Sequence, residues 1–170
     1  MSKKKIKLSK AIELKDALEL SINQDNILIQ NWNSVIEGTK RVVDIDEIET
    51  LKDLKSRTIT RLNLKIQEAN FQVGKGEKEP NAYYIKELSE LQRENIHLRN
   101  LDTTDGSKLV KGKTVKYNAK LKFADITLRQ KEIQKTIAQY KQKLTDFNNN
   151  TYIEIDENVI NIAELVNVTI

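Results

Sequence analysis

Residues 133–155 read IQKTIAQYKQKLTDFNNNTYIEI, a heptad that gives way to three asparagines and then to an alternating apolar segment. Ile133, Ile137, Tyr140, Leu144 and Phe147 step by four, three, four and three, so they share one face of a helix. That face needs an apolar partner. Asn148, Asn149 and Asn150 end the helix, because asparagine side chains compete for backbone hydrogen bonds and tolerate turn geometry. TYIEI then alternates with the period of two that marks a half-buried strand.

Three upstream segments carry matching apolar faces. Ser9 is a candidate N-cap for a helix over about 9–37, in which Ala11, Leu14, Leu18, Leu28, Trp32 and Val35 keep one face and Gly38 is a candidate terminator. Asn23, Gln24, Asp25 and Asn26 interrupt that face, which calls for either a kink or a buried polar layer. Asp44 and Glu47 fit a capping box opening a helix over about 45–72, broken by Gly74, Gly76 and Pro80. Asn81 is the candidate cap of a helix over about 82–102, and Asp125 that of the heptad helix over about 126–148. Between these last two, TVKYNAKLKF alternates, predicting a strand over about 114–123 that is free to pair with the strand over 151–155. These expectations describe a mainly α protein: an antiparallel four-helix bundle over 1–155 with a short β-ribbon flanking the last helix. Residues 156–170 form an apolar tail without a clear period.

Composition narrows the classes. A chain of 170 residues is long enough for one domain with a real core, and 32% charged residues with one proline favour long solvated helices. No cysteine is present, which excludes disulfides and thiolate metal sites. MSKKKIKLSK has the basic start of a signal peptide but lacks its apolar centre, and no run approaches the roughly 18 apolar residues of a membrane span. The expected location is the cytoplasm, or the virion if the protein is phage-encoded; abundant lysine, isoleucine and asparagine suggest an AT-rich bacterial or phage genome.

The net charge of +4 hides a division: residues 1–106 hold 18 basic and 18 acidic side chains and are neutral, 107–145 hold 11 against 2, and 146–170 hold none against 5. The basic stretch and the acidic tail are candidates to pair within a molecule, between copies or with separate partners.

Several stretches resemble a septicolysin-like family of small bacterial helical proteins. They are KLSKAIELKDAL, NSVIEG (close to the family's Asn–x–x–Val–x–Glu–Gly, one residue shorter), VDIDEIE, RLNLKIQEAN, TVKYNAKLKFAD and DFNNNTYIEI. The similarity spans about residues 7–155; Ile36 stands where the family has glutamine, and residues 156–170 pass its usual end. The resemblance implies a helical bundle and an oligomer, and supplies no catalytic residue.

Among candidate sites, the lone His97 reads as a surface residue of a charged helix, since zinc needs several ligands at set spacing. Glu37, Asp44, Asp46, Glu47 and Glu49 supply oxygen ligands without calcium-loop spacing, and capping explains them equally. Gly74 and Gly76 lack the Gly-Lys-Ser/Thr of a phosphate loop. Asn95, at a heptad position between Leu91 and Leu98, is either a buried register-setting residue or an exposed boundary one. Trp32, the sole tryptophan, reads as a core plug.

Two surfaces carry the functional expectation. Lys108, Lys111, Lys113, Lys116, Lys120 and Lys122 surround Tyr117 without an acid, a pattern for phosphate contacts with an aromatic for base stacking; the same lysines would also protect an edge strand. Val159, Ile160, Ile162, Leu165, Val166 and Val168 make the tail a candidate oligomer interface. With no nucleophile–base pair, metal cluster or cofactor motif in the sequence, the reading is a non-enzymatic, self-associating structural or interaction module, with a phage particle as one possible setting. The alternative is weak, non-specific nucleic-acid binding through 108–122.

Overall fold

The computed structural model describes residues 3–165. In chain order the elements are β1 (Lys3–Lys7), α1 (Leu8–Trp32), α2 (Ile45–Asn70), α3 (Asn81–Asn100), β2 (Gly106–Val110), β3 (Lys113–Tyr117), α4 (Phe123–Asn150), β4 (Tyr152–Asp156) and α5 (Glu157–Leu165). The chain is mainly helical and has two small antiparallel sheets.

The four long helices pack as two hairpins, α1 along α2 and α3 along α4, with few contacts between the pairs. One core shared by all four helices, which the expected bundle implies, is replaced by two clusters. The larger joins Ile6, Leu8, Ala11, Leu14 and Leu18 to Leu62 and Ala69, to Ile153 and Ile155 of β4, and to Val159, Ile162 and Ala163 of α5. The smaller joins Leu98 of α3 to Ile126 and Ile133 of α4, with Leu91, Leu101 and Ile137 packed against it. The opening heptad therefore meets α3 along most of its length and reaches the larger cluster only at Phe147. The cause is stripe width. Two apolar positions in seven cover one neighbouring helix, whereas a bundle helix needs about three in seven to touch two.

In the first hairpin, α1 runs unbroken through Asn23–Asn26, so the interruption is a polar layer and not a kink. Lys55 of α2 is only 7% exposed, and its ammonium donates to Asp25 Oδ2 at 2.6 Å. Lys52 Nζ donates to Asn26 Oδ1 at 3.2 Å beside it. Trp32 is half-buried at the hairpin's far end, outside both clusters, because α1 stops there; it is not a core plug. Arg41 closes that end, donating from Nε to the Trp32 carbonyl and from Nη2 to the Asn33 carbonyl, both at 2.9 Å. It satisfies carbonyls that the helix terminus leaves free.

The sheets correct the expected ribbon. β4 pairs with β1, in register Ile6 opposite Ile153, and the Leu8 amide donates to the Thr151 carbonyl as α1 begins. The segment expected at 114–123 ends at Tyr117 and pairs with β2 through the two-residue turn Lys111–Gly112. Positive φ at both turn residues (49° and 75°) is the geometry that suits the twist of a tight hairpin. α5 was not expected at all, yet Val159, Ile162 and Ala163 follow a helical step and turn inward.

Among the caps, Asp44 behaves as expected, accepting from the amides of Asp46 and Glu47 at 3.0 and 3.2 Å. Ser9, Asn81 and Asp125 instead fall inside the first turns, after Lys7, Pro80 and Lys122. Gly38, with φ of 83°, serves a turn beyond α1 and does not end the helix.

Candidate interaction surfaces

The lysine segment divides between the β2–β3 ribbon and the loop entering α4. Every residue of both strands is exposed, so Lys108, Lys113, Lys116 and Tyr117 stand on an unpartnered ribbon with Lys111 at its turn. Lys120 and Lys122 follow, and Lys122 ion-pairs with Asp105. Hydrogen bonding to Lys122 holds the Asp105 carboxyl below its usual value of 3.8. Lys108 donates to Thr104 Oγ1, and Lys111, Lys113, Lys116 and Lys120 have no carboxylate partner among the described residues. Leu109 and Phe123 lie exposed beside them.

The acidic residues of β4 are out of this ribbon's reach. The 28 residues of α4 separate the ribbon from β4, which at 1.5 Å per residue is about 42 Å, or about five Debye lengths at physiological salt. Glu154 pairs at the far end with Lys3, at 3.8 Å. The ribbon lysines therefore do not pair with the acidic residues of β4 inside one molecule.

The tail residues need the opposite correction. Val159 and Ile162 are 3% and 5% exposed, buried in the protomer's own larger cluster, so they are not available as an oligomer interface. Burial of each is worth about 1.5–3 kcal/mol in place. Ile160 and Leu165 lie on the same helix, and Val166 and Val168 fall outside the described residues.

The remaining candidates resolve into structural roles. His97 is exposed on α3. No group of three or more His, Cys, Asp or Glu side chains converges on a metal-sized site among the described residues, and Asp44 is occupied as a cap. Asn95 is half-buried, and its Oδ1 is enclosed without a donor in the α3–α4 hairpin. Gly74 lets the α2–α3 loop lie against α4: a Cβ there would sit 3.3 Å from Phe147 Cδ2.

That loop carries a cluster that the sequence did not reveal. The Glu77 amide donates to the Gly74 carbonyl in a tight turn, and its carboxylate accepts from Tyr84 Oη and Lys143 Nζ, each at 2.6 Å. The Lys143 ammonium lies 4.7 Å from the centre of the Tyr84 ring, which packs edge-on against Tyr140. The Lys143 hydrogen bond, then that of Tyr84, holds the Glu77 carboxyl below its usual 4.5; the same bonds raise Lys143 above 10.5 and Tyr84 above 10.0. A cavity of about 490 Å³ opens beside them, lined also by Lys75, Glu79 and Asp146. Each polar group of the trio is engaged by another, which is the chemistry of a clasp joining loop, α3 and α4. Only the VGKGEKEP turn signalled it, since Lys143 is 66 residues from Glu77.

A different surface stands out on α1. Residues 20–36 contain one charged side chain, Asp25, which is consumed by Lys55. Leu20 and Ile27, 61% and 56% exposed, lie two turns apart on the face away from Leu14 and Leu18.

No protein-family model and no curated protein matches the sequence. One solved structure is similar in fold, a functionally unknown conserved protein from Corynebacterium diphtheriae, with a TM-score of 0.78 at 18% identity over 88% of this chain and 99% of that one. The similarity is one of fold. No helix among the described residues is long and apolar enough to cross a membrane.

Proposed function

We propose that the protein is a non-enzymatic, self-associating structural or interaction module built from two helical hairpins. The observation that carries this reading is the outward face of distal α1, uncharged in a chain that is 32% charged, with Leu20 and Ile27 in solvent. Charge depletion with apolar side chains marks the centre of interfaces, and a face without charges meets its own copy without like-charge repulsion. A two-fold pairing of such faces closes on itself. The resemblance to septicolysin-like proteins points the same way, because it implies an oligomer. Sedimentation equilibrium tests the proposal: the expected mass exceeds the 19.6 kDa of one chain, and Leu20→Lys with Ile27→Lys returns it to 19.6 kDa with helicity intact. A wild-type mass of 19.6 kDa at all accessible concentrations overturns it.

A second reading, weak and non-specific nucleic-acid binding, is favoured by the unpartnered lysine ribbon with Tyr117. Five or six phosphate contacts would give a log–log salt slope of up to about −5 on duplex DNA. Retention on random duplex that disappears with Lys111, Lys113 and Lys116 changed to glutamine supports it; absence of retention at low salt removes it.

A further inference from the structure

We infer that the β2–β3 ribbon docks on the acidic far end of the α1–α2 hairpin of a second copy of this chain. This rests on the self-association proposed above and names the contact that orders it. Residues 106–122 carry six lysines and no acid, on a ribbon with both faces open. Residues 33–49 carry Glu37, Asp44, Asp46, Glu47 and Glu49 against Lys40 and Arg41, a balance of −3. Arg41 is bound to the end of α1, so the carboxylates dominate what that end offers a partner.

Neither set is charge-paired within the protomer: Asp44 caps α2 and Lys108 donates to Thr104, but none of these five acids, and none of Lys108, Lys111, Lys113, Lys116 and Lys120, forms an ion pair among the described residues. Both ends also expose large apolar side chains amid the charge. Ile36 and Val42 stand beside the acids at 83% and 75% exposure, and Leu109 beside the lysines at 75%. Opposite charge around apolar anchors is how interfaces gain orientation and exclude wrong partners. A shallow groove bounded by Arg41, Val42, Asp44 and Asp46 offers the ribbon a seat. Reciprocal docking, in which each acidic end receives the other copy's ribbon, is an isologous contact that closes a two-fold dimer.

The test uses two surface variants of the full chain. One carries Lys111→Glu, Lys113→Glu and Lys116→Glu; the other carries Glu37→Lys, Glu47→Lys and Glu49→Lys, which leaves the Asp44 cap in place. Circular dichroism verifies that both keep native helicity, and sedimentation reads association. Each variant alone should associate at least about tenfold more weakly than wild type, since like charges then face each other. An equimolar mixture should regain association, because each reversed surface meets its complement. Wild-type association should also weaken as salt rises.

A wild type that never associates refutes the underlying self-association. An associating wild type whose variants associate equally well refutes only this contact. Weakened variants that the mixture fails to rescue also overturn it. Unchanged assembly mass with loss of duplex DNA retention in the ribbon variant assigns the lysines to nucleic acid instead.

Discussion

Removing the Asp25 carboxylate tests whether the polar layer of the first hairpin is a buried pair or a solvated one. The Lys55 and Asp25 side chains are 9% and 13% exposed, and their contact is 2.6 Å. Asp25→Ala strands an ammonium between two helices, and breaking one side of a buried pair costs about 3–5 kcal/mol. That is a large share of the roughly 5–15 kcal/mol that holds an ordinary domain together. Replacing both partners with apolar residues, Asp25→Leu with Lys55→Met, removes the charge and its desolvation together. The expected stability of the double variant is equal to wild type or above it by up to about 4 kcal/mol. The assay is urea unfolding at neutral pH, followed by helicity and by Trp32 fluorescence, with the coupling read from the double-mutant cycle. A cost for Asp25→Ala below about 1 kcal/mol, the range of exposed pairs, refutes the argument and means that the lysine stem carries its charge out to water. A buried polar pair is also a device for setting which residue of one helix faces which of the next, and the doubly apolar variant tests that role here. We expect the doubly apolar variant to broaden amide resonances in distal α1, which a purely energetic role would not do.

Three other outcomes follow from the architecture. Leu98→Ala should cost about 2–5 kcal/mol and speed amide exchange in distal α3 and α4 while leaving the protection of Leu14 and Leu18 unchanged; uniform loss of protection would mean one core and not two. Ile162→Asp should destabilise the larger cluster and lower helicity, whereas a native melting curve would show that α5 contributes nothing to that core. Glu77 has a folded-state pKa below its usual 4.5, so its contribution is fully present above about pH 5 and is lost as pH falls through the folded value; the stability gap between wild type and Glu77→Gln should close in acid. Lys143, raised above 10.5, keeps its contribution below that pH and loses it in stronger alkali, and a gap independent of pH from 3 to 7 would sink the clasp.

The sequence made legible what depends on local pattern. The heptad of α4, the Asp44 cap and the polar interruption at Asn23–Asn26 each follow from residues within two or three turns of one another. What failed depended on partners distant in the chain. β4 was readable as a strand, but its mate β1 is KKKIK, where a single Ile6 among lysines gives no period to detect. The alternation beyond Tyr117 continues to Phe123, yet pairing stops because β2 offers only five residues from Gly106 to Val110. The α5 pattern was present in Val159, Ile162 and Ala163, but the β-branched residues around them hid the helical step. The Glu77 clasp needs a tyrosine seven positions away and a lysine 66 away, a constellation that only the hairpin of α3 and α4 assembles.

Stripe width links these readings to the proposed function. A four-helix bundle hides two faces of every helix and leaves a polar exterior, so it can stand alone. Two thin hairpins hide one face each. The α3–α4 hairpin has only Leu98, Ile126 and Ile133 fully buried at its outer end, while Ile96 and Leu128 remain in solvent. Both hairpins also carry exposed apolar residues beside unpaired charges at their outer ends, Ile36 and Val42 among the acids of the first and Leu109 and Phe123 among the ribbon lysines of the second. An assembly that covers them would stabilise fold and contact together. Amide exchange in the outer turns of α1 and α3 should accordingly slow as protein concentration rises, while the protection of Leu14 and Leu62 stays constant. Exchange that is independent of concentration in all four helices would separate stability from association and leave the hairpins standing alone.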